Sequence, residues 1–321
     1  MAYSSTLPQT ALPWRHALLA LAVVLVWGSN FVVIKVALRE LPPLLLATLR
    51  FAFAFAPAAL FIKRPKAPWR DLAAYGMLIG AGQFGLLFIA MNGHISPGLT
   101  SLVIQTQVVF TIALSMRLSG EAIARFQLCA LALAAIGIAV IAAHAGVGDT
   151  PLGLALVLTA ALCWAGGNMV AKRSPHANML AYVVWASLFS VPPLVSLSLV
   201  FEGWPAIARA LTHADGAAWA AVVWQSAGNT LFAFAAWGWL LARHPAATIT
   251  PVALLVPVFG MAGSAWFLGE PLPFWKLAAA ALVMSGLALN LLWPRLRRSS
   301  PIQSPRGEPG PPSHPDRSAR D

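Results

Sequence analysis

Charge is what this sequence has least of. Only 10% of its 321 residues are Asp, Glu, Lys or Arg, against roughly 25% in soluble globular domains. Acids are the scarcer sign: ten in the whole chain, none clearly in the middle of a long apolar stretch. A soluble enzyme of this length needs far more polar cover, so that class is excluded, as is a disordered chain. Cysteine is nearly missing. The two present, Cys129 and Cys163, both fall inside apolar stretches. They exclude a disulfide-stapled secreted module, and the Cys and His residues show no zinc-ligand spacing, so no metal is expected. No Walker A loop occurs, so direct coupling to ATP within this chain is unsupported and no cofactor is expected.

What the chain has instead is apolar length. Hydrophobic residues make up 59% of it. They gather in ten stretches, at 16–36, 43–62, 71–91, 98–117, 124–143, 151–171, 179–200, 217–241, 247–268 and 273–293. Turn-forming segments such as Leu41-Pro42-Pro43, Lys63-Arg64-Pro65-Lys66, Ser96-Pro97-Gly98 and Gly146-Val147-Gly148-Asp149 separate them. A helix crosses a bilayer with about 20 apolar residues. The pattern predicts an all-α membrane protein of ten transmembrane helices, with five in residues 16–145 and five in 150–294. Residues 1–15 are expected to form a cytoplasmic N-terminus, and the Pro-, Ser- and Arg-rich tail 295–321 is expected to be disordered. The first stretch is long, contains Trp27 and Asn30 and lacks a clear small-residue cleavage site, so it reads as a retained helix.

The formal net charge of +11 is topological. A nucleic-acid-binding protein gathers its bases on one face, whereas these fall in short loops and the tail. With the N-terminus inside, sixteen of the 21 Lys and Arg lie on the cytoplasmic side. Four lie opposite (Lys35, Arg39, Arg209 and Lys276), and Arg50 falls within the second stretch. The positive-inside rule then predicts that both termini are cytoplasmic. The expected partners are the lipid bilayer and a small-molecule substrate, with no nucleic acid and at most a second copy of the chain as a homodimer.

The two halves resemble each other. Trp27 and Lys35 at the end of the first stretch match Trp164 and Lys172 at the end of the sixth, each pair enclosing Gly and Asn: Gly28 and Asn30, then Gly166, Gly167 and Asn168. Gly120-Glu121 and Gly269-Glu270 each precede a Gly by the same distance, Gly137 and Gly286. These ordered coincidences point to duplication. A five-helix unit has an odd number of crossings, so its second copy must start on the opposite side of the membrane. Inverted repeats around a midplane site are a common transporter architecture.

Polar groups inside a membrane are costly and face either a cavity or another helix. Gln107, Thr111 and Ser115 share one helical face, and Ser101 and Gln105 a neighbouring one. Gln83 sits in the middle of the third stretch, and Gln225 and Asn229 are four apart on the eighth. Asn30 and Asn168 hold repeat-equivalent places. Each reads either as wall of a translocation path or as a helix–helix hydrogen bond. Arg50 either snorkels towards one end of its helix or faces the cavity and pairs with a substrate carboxylate. Trp27, Trp164 and Trp185 are candidate cavity walls, suited to a substrate ammonium. Lys35, Glu121 and Glu270 are candidates for gating or coupling; the two acids stand at helix starts, where a carboxylate is favoured. The absence of a buried acid fits a small zwitterion or neutral metabolite better than a polycation.

These segments resemble the EamA family of the drug/metabolite transporter superfamily. The resemblance spans about residues 16–293. Carrying it are Trp27-Gly28-Ser29-Asn30-Phe31-Val32-Val33-Ile34-Lys35, Leu49-Arg50-Phe51, Gly120-Glu121 and Gly269-Glu270. Within the family it resembles bacterial exporters of O-acetylserine and cysteine, through Pro42-Pro43-Leu44, Gln83-Phe84, Ser101-Leu102-Val103, Gln105, Gln107, Trp164 to Asn168 and Leu254-Leu255-Val256-Pro257-Val258. It implies ten helices in two EamA repeats. It also implies an inner-membrane secondary transporter that exports a small amino-acid-type metabolite by alternating access, coupled to protons. Phe234 departs from the pattern, since a Tyr is expected near it. The alternative cargoes are another amino acid, a sugar-linked metabolite or an amphiphilic toxin. A remote alternative is a membrane acyltransferase, from the H-x-x-x-x-D spacing of His144 and Asp149.

Overall fold

The computed structural model describes residues 12–119, 125–144, 146, 148–174, 177–244 and 246–298. Among them every regular element is helical, apart from one isolated bridge between Gly146 and Asp149. Ten long helices follow in order: α1 Trp14–Ala37, α2 Pro43–Ala59, α3 Trp69–Met91, α4 at 97–119, α5 Arg125–Ala143, α6 Pro151–Ala171, α7 Met179–Phe201, α8 at 216–243, α9 Thr250–Leu268 and α10 Phe274–Arg298. Eight are long and apolar enough to cross a membrane. Of the other two, α2 is a shorter apolar helix, and α8 carries Gln225, Ser226, Asn229 and Thr230 in its middle. An extra helix, Trp204–His213, fills the connection between α7 and α8 and buries Ile207 and Ala210. α10 runs on to Arg298, so residues 295–298 are helical where the sequence suggested tail. Residues 299–321, residues 1–11 and the candidate Glu121 lie outside the described residues.

Local chemistry sets the helix ends. α2 and α6 begin on Pro43 and Pro151, and α4 on Pro97. At that position the missing N–H costs nothing and the fixed φ already suits the helix. Thr150, Asn178 and Asp215 cap α6, α7 and α8 by accepting from Gly153, Ala181 and Ala218 N–H. α9 stops at Gly269, which takes a left-handed φ of 66°.

The packing is symmetric under exchange of the two halves. α1 lies on α9 as α6 lies on α4, and α1 on α8 as α6 on α3. α2 faces α7, α4 faces α9 and α5 faces α10. Adding five to each helix number maps each of these contacts onto another of them or onto itself. Two inverted five-helix repeats produce this pattern.

Gly137 and Gly286, matched by the repeat, lie at the α5–α10 interface. A Cβ on Gly137 would come 2.7 Å from Val283 Cγ2, and one on Gly286 would come 2.6 Å from the Ala130 carbonyl oxygen. Helices in lipid gain from such close approach, because van der Waals packing replaces the hydrophobic drive. Overpacking a site of this kind costs about 1–3 kcal/mol. Gly286→Leu is therefore expected to lower the unfolding midpoint in detergent, whereas Gly216→Leu, where a Cβ meets open space, is not.

Four helices leave α geometry inside the bundle, again in repeat pairs. In α3 and in α8, eight α-helical residues are followed by nine in a wider π turn, Met77–Gly85 and Trp224–Phe232. α4 and α9 tighten into 3₁₀ turns at Ile104–Thr106 and Thr250–Leu254. Irregular backbone at membrane depth is tolerated where it is buried in protein or lines a cavity, and π turns mark functional sites.

Candidate functional site

Arg50 is the eighth of 17 residues in α2, hence mid-helix, and is 1% exposed. It does not snorkel. The π turn of α8 meets it with two amides. Arg50 Nη1 donates to Gln225 Oε1. Asn229, with its amide oxygen towards the guanidinium, accepts from Nη1 at 2.9 Å and Nη2 at 3.0 Å. Ser226 Oγ donates to the Arg50 carbonyl at 3.0 Å. Thr230 Oγ1 donates to the Gln225 carbonyl five residues earlier, across the widened turn. The π turn of α3 supplies the floor: the guanidinium carbon lies 3.7 Å from the Phe84 ring centre and 5.4 Å from that of Phe51. Contacts of this kind stabilise a desolvated cation.

The site therefore joins α2 and α3 of the first half to α8 of the second. Among the described residues the ion pairs are Arg173–Asp71, Lys276–Asp149 and Lys276–Glu270; none involves Arg50. Arg50 Nε and Gln225 Nε2 are buried without a partner. Gln83, beside Phe84, is 4% exposed.

Other expected residues fall elsewhere. Gln107, Thr111 and Asn168 bond to one another across α4 and α6, with Asn168 Nδ2 donating to Gln107 Oε1 at 3.1 Å and to Thr111 Oγ1 at 3.2 Å. One turn on, Lys172 Nζ donates to Ser115 Oγ at 3.3 Å. Gln105 sits half-buried in the 3₁₀ turn of α4. Asn30 is buried in α1 with its Oδ1 unpartnered. Trp27 packs on Trp237 at 5.1 Å and Phe234 at 5.9 Å, so the departure at Phe234 gives an apolar aromatic contact. Trp164 is half-buried against the main core. Trp185 stands apart from the Arg50 group, between Phe55 and Trp69, and its indole donates to the Ile62 carbonyl at 2.9 Å.

Opposite the face where α1 begins and α10 ends, a second polar cluster ties three connections together. Lys276 Nζ lies 3.0 Å from Glu270 Oε1, 3.1 Å from Asp149 Oδ2 and 3.4 Å from Ser96 Oγ. Glu270 accepts from Gly98 N–H at 2.9 Å, and Asp149 from Ser96 N–H at 2.8 Å. Glu270 thus caps α4, not α10 as its place in the sequence suggested. On the same face Lys35 donates to the Met91 carbonyl at the end of α3 (3.1 Å), and Glu202 accepts from Leu44 and Leu45 N–H at the start of α2. His144 stacks on Trp275 with centroids 4.9 Å apart and bonds to the Val140 carbonyl, while Asp149 is taken by Lys276 and Ser96. The H-x-x-x-x-D pair is thus engaged in separate packing.

Sequence reasoning gave no site role to Phe84, Ser226, Lys276 or Glu202, and read Asp149 only with His144, as a remote acyltransferase spacing. Ser226 and Phe84 each adjoin a residue that was singled out. Lys276 and Glu202 carried no signal, because a charge near a helix end reads as loop until the loops are seen to meet. Among the described residues no cluster of His, Cys, Asp and Glu could hold a metal ion.

A family model described as the EamA-like transporter family matches residues 14–143 and 151–292. The chain is 40% identical over 294 residues to a Salmonella typhimurium protein named "Probable amino-acid metabolite efflux pump", covering 90% of this chain and 98% of that one. An Escherichia coli protein of the same name is 37% identical over 296 residues, covering 90% and 99%. A crystal structure of a protein 21% identical superposes with a TM-score of 0.59 over 90% of this chain and all of that one, which shows the fold alone.

Proposed function

The chain belongs to the EamA-like transporter family, and from that premise we propose that it exports a small amino-acid-type metabolite, of the kind of O-acetylserine or cysteine, across a bacterial inner membrane. The observation that carries the proposal is the buried polar group around Arg50, at mid-helix and between the two inverted halves. A site there can face either side as the halves rock about it. The names of the two bacterial relatives support an amino-acid metabolite as cargo. Both termini face the cytoplasm, on the distribution of Lys and Arg. The cluster on Lys276 then closes the outer side. Proton antiport supplies the energy.

Counterflow of radiolabelled O-acetylserine and cysteine into vesicles holding the purified protein tests this, with and without a pH gradient. Uptake driven by internal unlabelled substrate is expected, with net export rising as the gradient is imposed. Active insertion with no counterflow of either compound would sink the assignment. Counterflow indifferent to the gradient would remove the proton coupling and keep the cargo.

A further inference from the structure

Taking that central site as the transport site, we infer that it is a receptor for a single carboxylate, and that Gln225 and Asn229 hold the carboxylate's place when the site is empty. Three features of the Arg50 group lead there. Its charge is fully buried and meets only neutral acceptors. A guanidinium cannot shed its proton to escape that cost as a lysine can. Second, donors exceed acceptors: Arg50 Nε–H and the Gln225 Nε2 amide are both buried and unpartnered, in one cluster. Buried polar groups almost always find partners, so the arrangement lacks an acceptor. Third, the cation present is single and the described residues bring no acid to it. The missing group therefore carries acceptor oxygens and one negative charge.

A carboxylate fits all three. Its two coplanar oxygens match the guanidinium edge in a bidentate pair, with a lone pair left for the Gln225 amide. A phosphate dianion is over-charged for one arginine. An amine brings more donors and a second positive charge. In the empty site the Gln225 and Asn229 oxygens occupy the acceptor positions, so Arg50 is never bare as the protein cycles. Substrate binding exchanges two amide oxygens for an anion, and release restores them. Among the described residues no acid stands by to read a substrate ammonium, so the site selects on the carboxyl end. Acylation of the amino group is tolerated and amidation of the carboxyl is not.

Asn229→Asp is the discriminating variant. It places a permanent carboxylate where the substrate's would go, keeps Arg50, and pairs the buried charge, so the fold is not threatened. Thermal unfolding of purified protein is followed with O-acetyl-L-serine, N-acetyl-L-serine and L-serinamide. The two acids are expected to raise the midpoint of the natural protein, and serinamide to leave it unmoved. In Asn229→Asp the ligand-free midpoint holds or rises, and affinity for both acids falls at least about tenfold, as expected for a charge-assisted interaction. Serinamide binding as well as the acids, or Asn229→Asp keeping its response to them, overturns the carboxylate receptor. No shift with either acid overturns it too. The export reading fails separately: carboxylates that bind while no amino-acid metabolite shows counterflow leave the receptor standing and remove the cargo.

Discussion

Export by an Arg50→Ala protein is expected to fall at least a hundredfold, with insertion and abundance little changed. The residue is the one cation of the central site, and its Nη atoms hold the amides of Gln225 and Asn229. Hydrogen bonds to a charged group contribute about 1.5–3 kcal/mol each, so losing two or three to substrate gives a factor of that size. Truncation also leaves the Gln225 and Asn229 amide oxygens without their donor. Arg50→Lys separates the effects. It keeps the charge and much of the volume but presents a point charge in place of a planar fork, and it retains a weaker contact with the Phe84 ring. Intermediate export with a raised KM is expected. Initial counterflow rates, normalised to inserted protein, give the readout. Full export by Arg50→Ala would remove the central site from the mechanism.

The second large effect is expected at Lys276. Its ammonium is 5% exposed and sits between Glu270 and Asp149, themselves 7% and 17% exposed. Removing one partner from a buried charge cluster costs about 3–5 kcal/mol, because the others stay buried and unpaired. Lys276→Met leaves two carboxylates on segments that pack only while the α3–α4, α5–α6 and α9–α10 connections meet. Those connections can part and hydrate the acids, so the change is expected to appear as opening rather than unfolding. A cysteine at position 100, where Thr100 is fully buried near the start of α4, reports it in a background with Cys129 and Cys163 replaced by alanine. Labelling by a membrane-impermeant maleimide is expected to be slow with Lys276 present and at least tenfold faster in Lys276→Met. Adding Glu270→Gln, which removes one of the two negative charges, is expected to slow it again. Unchanged labelling would show that apolar packing, and not this cluster, closes the face.

The repeat does not carry the Lys276 cluster to the other half of the sequence. The register that aligns Gly137 with Gly286 sets Gln127 against Lys276, so the ammonium has no repeat counterpart. Duplication supplied the helices in pairs, and the charges that tie their ends differ between copies.

Much of this was legible in the sequence because bilayer physics is one-dimensional. Spans of apolar residues have to be of membrane length, backbone polarity forces them into helices, and an odd number of spans per repeat forces inversion. Arg50, Gln225 and Asn229 stood out for a similarly simple reason: a polar group that deep in a span needs a use. What the sequence did not carry was rotation and meeting. An arginine in mid-helix gives no sign of whether it faces lipid, a neighbouring helix or a site. Trp185 and Trp27 read alike as candidate cavity walls, yet Trp185 bonds to the Ile62 carbonyl while Trp27 packs on α8. Glu270 reads as the cap of the helix that follows it and caps α4, 172 residues away. The π turns of α3 and α8 have no motif, because the wider turn comes from packing between helices as much as from their own residues. Composition and parity, which depend on the chain alone, determined a ten-helix inverted-repeat membrane protein. Which polar groups converge on Arg50, and which charges shut the far face, depend on distances between segments far apart in the chain, and only the tertiary structure decided them.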